Sequence, residues 1–182
     1  MTLMPGTIET ATPFDHPEFD NHQDIAFFQH APSGLRAIIA IHDTRLGPAL
    51  GGCRMWPYRT AAEALTDVLR LSKGMTYKNA LAGIEFGGGK AVILGDSRTD
   101  KSEAGLEAFG GFVDRFGGAY RTGEDVGMTS ADMAVIGRRT RYALGTEATG
   151  LGDPSPYTAL GVFVGIKAAV RQREFSEFLR QR

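Results

Sequence analysis

The stretch GMTYKNALAGIEFGGGKAVILGD, residues 74–96, decides how the chain is built. It begins inside a predicted helix. Thr60 followed by Glu63 fits a capping box, and Ala64, Leu65, Val68, Leu69 and Leu71 or Ser72 recur at helical spacing, so the pattern predicts a helix over Ala61–Asn79 with Lys78 near its C-terminal end. Gly74 within that helix costs about 1 kcal/mol against alanine, which is accepted where another backbone comes close. The stretch ends in KAVILGD, an apolar run bounded by glycine that reads as a buried strand with Lys90 at its first position. A helix handing directly over to a buried strand is the working unit of an α/β sheet.

Outward from this unit the same logic applies. Residues 1–23 are polar, carry prolines at positions 5, 13 and 17, and read as a loosely ordered lead-in with room for one short helix. Ile25–His30 and Arg36–His42 are β-rich runs joined by APSG, a hairpin signal. RLGPALGGCRMWPY holds three glycines and two prolines and is expected to be a loop of defined shape. Downstream, Leu106, Phe109, Phe112, Val113 and Phe116 make an apolar stripe on a helix within Ser102–Phe116. AYRTGEDVG reads as a strand running into a loop, Ser130 as the cap of a short helix Ala131–Arg138, and RYALG as one further candidate strand. Ser155 and Pro156 form a cap and first-turn pair for a last helix to about Arg171. The expected fold is an α/β domain with a mixed, mostly parallel sheet flanked by helices. The expected organisation is a lead-in over 1–23, a domain over 24–155, and a helix with a charged extension over 156–182.

Composition narrows the function. Of 182 residues 42% are apolar, enough for a real core, and 20 basic residues against 21 acidic ones give no electrostatic reason to expect a nucleic acid or an anionic membrane as partner. The single cysteine, Cys53, can form no internal disulfide and has no second thiol for a zinc site, which points to a reducing cytoplasm. The four histidines, His16, His22, His30 and His42, lack metal-ligand spacing, and no metal site is expected. No stretch reaches the roughly 18 apolar residues of a membrane span.

Two nucleotide motifs are tested by the glycines and fail. A P-loop requires glycine where Ile84 stands and Ser or Thr where Ala91 stands, and its lysine precedes a helix rather than opening a strand. The dinucleotide fingerprint requires glycine where Val92 stands. What remains is Lys78 at a helix end and Lys90 at a strand start, on adjoining elements that could share one cleft. Two ammonium groups held close repel, which depresses the pKa of the more buried one and makes a neutral amine available as a base, while the other holds an anion such as a carboxylate. Taken singly, the two lysines read equally well as solvated surface residues, Asp125 as a loop cap, Thr158 as a surface helix residue, and Cys53, Trp56 and Met75 as packing.

In order and spacing, GPALGGCRMWPY, EALTDVLRLSKGMTYKNALAGIEFGGGKAVILGD, GEDVGMTSADM and GDPSPYTALGVFVGIKAA resemble the substrate domain of the leucine, phenylalanine and valine dehydrogenases, within the glutamate dehydrogenase superfamily. The likeness runs from about Asp24 to Val170. It implies an amino acid dehydrogenase-like N-terminal domain that serves the reversible, NAD-dependent oxidative deamination of a branched-chain or aromatic L-amino acid to a 2-oxo acid and ammonia. Carried over residue by residue, it makes Lys78 the cation for the substrate carboxylate, Lys90 the base that activates water, and Asp125 the proton-transfer partner at the amino group. Gly51 and Gly52 correspond to the carboxylate-side backbone, Leu50 and Met75 to the wall beside the substrate side chain, and Thr158 to a contact with the nicotinamide carboxamide. Leu144 and Gly123 stand where leucine dehydrogenases tend to have threonine and alanine, which leaves room for a bulkier side chain. The resemblance places most NAD contacts in a Rossmann domain that this chain does not contain, so negligible dehydrogenase activity is expected of it alone. It also implies a homo-oligomer, a dimer or larger, with the apolar hairpin as candidate interface. The other reading is a non-catalytic module that binds an amino acid or serves assembly.

Overall fold

A computed structural model describes residues 12–145 and 154–180. Strand β1 (Asp24–His30) and strand β2 (Leu35–Asp43) form the expected hairpin, turned by a 3₁₀ segment Ala31–Ser33 and by Gly34 in the left-handed region at φ 70°. Helix α1 (Ala61–Leu81) starts where Thr60 accepts a hydrogen bond from the Glu63 N–H. The Glu63 carboxylate turns instead to the Arg59 N–H, so only half of the capping box forms. Strand β5 (Gly87–Leu94) follows, then helix α2 (Glu103–Asp114), capped by Ser102, and strand β6 (Tyr120–Arg121). Helix α3 (Ser130–Gly137) is capped by Thr129 with Asp132 completing the box, so Ser130 is its first residue rather than its cap.

GPALGGCRMW is not a loop. It supplies strand β3 (Ala49–Leu50) and strand β4 (Cys53–Trp56), both parallel to β5, where the ladder satisfies the backbone of a segment whose glycines and prolines forbid a longer strand. The sheet order is β1-β2-β5-β3-β6 with β4 also on β5, giving two antiparallel and three parallel ladders. RYALG contributes only a bridge, Ala143 to Thr122.

Lys90 is the fourth residue of β5, not its first, because the glycine triplet lies inside the strand. The reason is steric. A Cβ on Gly87 would stand 1.9 Å from the Asp43 carbonyl oxygen, one on Gly88 2.2 Å from the Thr76 nitrogen, and one on Gly89 2.8 Å from the Tyr120 ring. The glycines thus provide close approach of α1 and neighbouring strands, not flexibility. Gly74 shows the reverse: no atom among the described residues lies within 4 Å of where its Cβ would be, so the expected backbone neighbour is missing.

Both faces of the sheet are covered. Ile39, Ile41, Ala91 and Ile93 pack with Phe109, Val113, Met133 and Ile136 of α2 and α3, while Ile38, Ala40 and Val92 pack with Ala64, Val68 and Leu69 of α1. This double burial explains why β2 reads as a nearly continuous apolar run. The described part of the lead-in is docked against α1: His22 Nε2 lies 3.1 Å from the Leu69 carbonyl and Lys73 Nζ 2.8 Å from Asp20. Residues 1–11 of the lead-in lie outside the described residues. Helix α4 (Ser155–Arg180) has Ser155 as its first helical residue and extends nine residues beyond Arg171.

Candidate active site

The sheet splits beside Lys90. β3 pairs with β5 at Gly87 and Gly88, β4 resumes the pairing at Ala91, and Gly51 and Gly52 occupy the step between them. Gly51 can only be glycine there, since its Cβ would fall 1.7 Å from the Gly89 carbonyl oxygen. The period of two along β5 sends Gly88, Lys90 and Val92 to the α1 face. Lys90 is therefore buried, with 5% of its surface exposed.

Lys90 Nζ lies 2.9 Å from Asp125 Oδ2. Asp125 follows the Cys53–Glu124 bridge and sits in a turn closed by the Met128 N–H donating to its carbonyl, with Gly127 at φ 79°. Arg54 Nε donates to the same Oδ2 at 2.9 Å, and Arg54 Nη1 donates to Asp67 Oδ2, also at 2.9 Å. Tyr58 Oη donates to that Asp67 oxygen at 2.6 Å. Burial pushes the Lys90 amine below the usual lysine range, with Asp125 opposing the shift and Arg54 adding to it. Burial alone would raise the Asp125 carboxyl, but Lys90 and Arg54 outweigh it and hold the group below the ordinary carboxylate value.

Two cavities adjoin this region, sharing Glu124 and Pro154. One, of about 540 Å³, is lined by Leu50, Gly51, Gly52, Met75, Gly123 and Leu144 among others. The second, of about 550 Å³, is lined by Asp125, Val126, Met128, Ser155 and Thr158 among others, and Glu124 borders both. The structure thus joins Lys90 to Asp125, gathers Leu50, Gly51, Gly52 and Met75 around the first cavity, and brings Thr158 and Asp125 to the lining of the second. Lys78 is not joined to them. It is exposed on the last turn of α1, one turn beyond Met75, and its ammonium makes no hydrogen bond or ion pair among the described residues. The Gly51 N–H is already taken by the Arg121 carbonyl, whereas the Gly52 N–H makes no hydrogen bond among the described residues.

Sequence reasoning missed Arg54, Asp67 and Tyr58. The only local signal was Arg54 standing between Cys53 and Met55, two residues that are buried in the strand. Nothing local links it to Asp125, 71 positions away. Among the described residues no group of three His, Cys, Asp or Glu is arranged to hold a metal ion, and no helix is long and apolar enough to cross a membrane.

A buried amine hydrogen-bonded to a carboxylate beside an open, largely apolar hollow can exchange protons with a small molecule there. The comparisons with known proteins bear on which one. The family model described as Glu/Leu/Phe/Val dehydrogenase, dimerisation domain, matches residues 22–142. The leucine dehydrogenase of Geobacillus stearothermophilus is 53% identical over 168 residues, covering 91% of this chain and 46% of that protein. The phenylalanine dehydrogenase of Bacillus thermotolerans is 50% identical over 170 residues, covering 92% and 44%. Among solved structures, L-tryptophan dehydrogenase from Nostoc punctiforme matches with a TM-score of 0.69 and 46% identity over 84% of this chain and 43% of that one. The hetero-hexameric glutamate dehydrogenase of Thermus thermophilus shares the fold, with a TM-score of 0.67 at 21% identity over 84% of this chain and 41% of that one. The chain spans a little under half the length of the curated relatives it matches.

Proposed function

Because the chain belongs to the Glu/Leu/Phe/Val dehydrogenase family, we propose that it forms the substrate-binding half of an L-amino acid dehydrogenase that converts a hydrophobic amino acid to its 2-oxo acid and ammonia. The observation that carries this reading is the buried Lys90, its ammonium 2.9 Å from Asp125, on β5 beside the step between β3 and β4 whose Gly51 and Gly52 line a cavity together with Leu50 and Met75.

In this reading Lys78 and the Gly52 N–H, unbonded among the described residues, hold the substrate carboxylate, and Leu50 and Met75 pack against its side chain. Asp125 exchanges a proton with the amino nitrogen. Lys90, as a neutral amine, takes the proton of the water whose oxygen adds to the imine carbon, and returns it as ammonia departs. A nicotinamide cofactor, NAD by family, supplies the hydride acceptor when bound. Thr158, exposed near the start of α4 and lining the same cavity as Asp125, has a hydroxyl suited to the carboxamide end of such a group. The dinucleotide fingerprint is lacking here, so the cofactor's phosphates need contacts from elsewhere in the whole protein. Assembly would use the outer edge of β1, which among the described residues pairs only with β2 and exposes Phe27. A reducing cytoplasm suits the buried free thiol of Cys53.

Two measurements test the site on this chain directly. Calorimetric titration with branched-chain and aromatic 2-oxo acids is expected to show weak binding that Lys78→Ala reduces about tenfold, the value of one charged contact of ~1.5 kcal/mol. Equal affinity in the two proteins would remove Lys78 from the site. Gly123→Ala tests side-chain preference. A Cβ there would meet nothing closer than the Leu144 carbonyl oxygen at 4.0 Å, so the variant folds without strain, but the methyl shortens the hollow. Affinity for phenylpyruvate is expected to fall about tenfold while 4-methyl-2-oxopentanoate is held nearly as well, since one methyl group discriminates by about 1–3 kcal/mol. A parallel loss for both ligands would place the side chain elsewhere.

A further inference from the structure

The Asp125 carboxylate is held by two cations from two strands, and only one of them has a part in the reaction described above. We propose that Arg54 is a positioning residue for the Lys90–Asp125 pair, braced by Asp67 and Tyr58 so that it fixes Asp125 over Lys90 and keeps a permanent positive charge beside both. The inference rests on the reading of Lys90 and Asp125 as the acid–base pair.

Asp125 lies in the segment between β6 and α3, outside any strand, so no ladder locates its side chain. Two donors do: Lys90 Nζ from β5 and Arg54 Nε from β4, each 2.9 Å from the same oxygen. A guanidinium directs its N–H groups in one rigid plane, so Arg54 can give Nε to Asp125 and Nη1 to Asp67 at once, which a lysine ammonium on a flexible stem reproduces poorly. Asp67 comes from α1, and Tyr58 closes the chain from just before that helix. The network therefore ties β4 to α1, the helix whose Met75 lines the substrate hollow.

The charge acts on both members of the pair. It favours the ionised form of Asp125 and disfavours a second cation at Lys90. Burial raises the Cys53 thiol and the Tyr120 hydroxyl far above neutrality, and burial with Asp67 beside it keeps Tyr58 protonated, so none of these adds a charge. Glu124, next to Asp125 in the chain, borders the same cavity and accepts a hydrogen bond from Ser130 Oγ; it is common to wild type and every variant below. Asp67 neutralises part of Arg54 without touching Asp125 or Lys90.

The test is an NMR titration of the Asp125 carboxyl and the Lys90 amine in this chain, comparing wild type, Arg54→Gln, Arg54→Ala and Arg54→Lys. Loss of the charge in Arg54→Gln and Arg54→Ala is expected to raise both midpoints by about one pH unit, and Arg54→Lys to restore part of that shift, since the charge returns without the planar fork. In a dehydrogenase that contains this chain, Arg54→Gln is expected to lower kcat about tenfold with KM little changed, and to move the alkaline rise of the pH profile upward. A purely structural arginine would move neither midpoint. Unchanged midpoints in Arg54→Gln, with an otherwise native amide spectrum, would overturn the proposal, as would failure of Arg54→Lys to recover any of the shift. Should Arg54→Ala not fold, the glutamine and lysine variants read the same quantity. The titration needs neither substrate nor cofactor, so failure of the dehydrogenase reading would show separately, in 2-oxo acid affinities indifferent to Lys78.

Discussion

Lys90→Met in a dehydrogenase that contains this chain is expected to lower kcat by about 10³-fold, the middle of the range for loss of a positioned general base. Methionine fills nearly the same volume as the lysine stem, so the buried position on β5 stays packed. Asp125 keeps Arg54, 2.9 Å away, and is not left as an unpaired charge. The loss therefore belongs to proton transfer rather than to collapse, and thermal unfolding of the variant should change little. The pH dependence has a fixed sign. Deamination needs the amine neutral, so its rate rises as pH climbs through the Lys90 pKa. Burial lowers that pKa, which brings the rise to lower pH than an exposed lysine would give. The reverse reaction needs the ammonium and declines over the same interval. In Lys90→Met this limb should vanish from the kcat profile. A variant retaining more than about a tenth of wild-type kcat, well above what loss of a general base allows, would assign the base to another group.

The second large effect concerns stability, and two glycines of the opening stretch respond in opposite directions. Gly88→Ala would place a methyl 2.2 Å from the Thr76 nitrogen and 2.6 Å from the Ser72 carbonyl oxygen, both backbone atoms of α1. The helix must lift from the strand, at a cost of about 3 kcal/mol or more for overpacking that cannot relax through a side-chain rotation. Against a total of about 5–15 kcal/mol for a typical domain, that loss threatens folding itself. Gly74→Ala, with open space around it in the middle of the same helix, is expected to add about 0.5–1 kcal/mol. Urea denaturation of the two variants, read as midpoint shifts at constant slope, decides the matter. A Gly88→Ala midpoint no lower than that of Gly74→Ala would mean that close approach of α1 is not what requires glycine at position 88.

These glycines also mark the boundary of what sequence could say. The triplet beside Lys90 is plain in the sequence, but placing Lys90 at the first position of the strand left the triplet outside it, because a glycine chosen for close approach and one chosen for turning look alike in one dimension. Only the atoms across the gap tell them apart, here Thr76, Asp43 and Tyr120. The same holds for β3 and β4. Their glycines and prolines say that no long strand can form, and the pairing with β5 that makes short strands of them is a contact between segments distant in the chain.

The helices α1, α2 and α3, the β1–β2 hairpin and the acid–base candidates Lys90 and Asp125 were determined by the sequence: caps, apolar spacing and ordered motifs are properties of near neighbours, or of a family pattern that one chain displays in full. The tertiary structure alone decided that the glycine triplet is strand, that Lys90 is buried within it, that Lys78 stands apart at the exposed end of α1, and that Arg54 joins Asp125 to Asp67. The reason is physical. Periodicity records which side of an element meets the core, whereas an ion pair across 71 residues or a clash with a neighbouring backbone exists only once the sheet has closed.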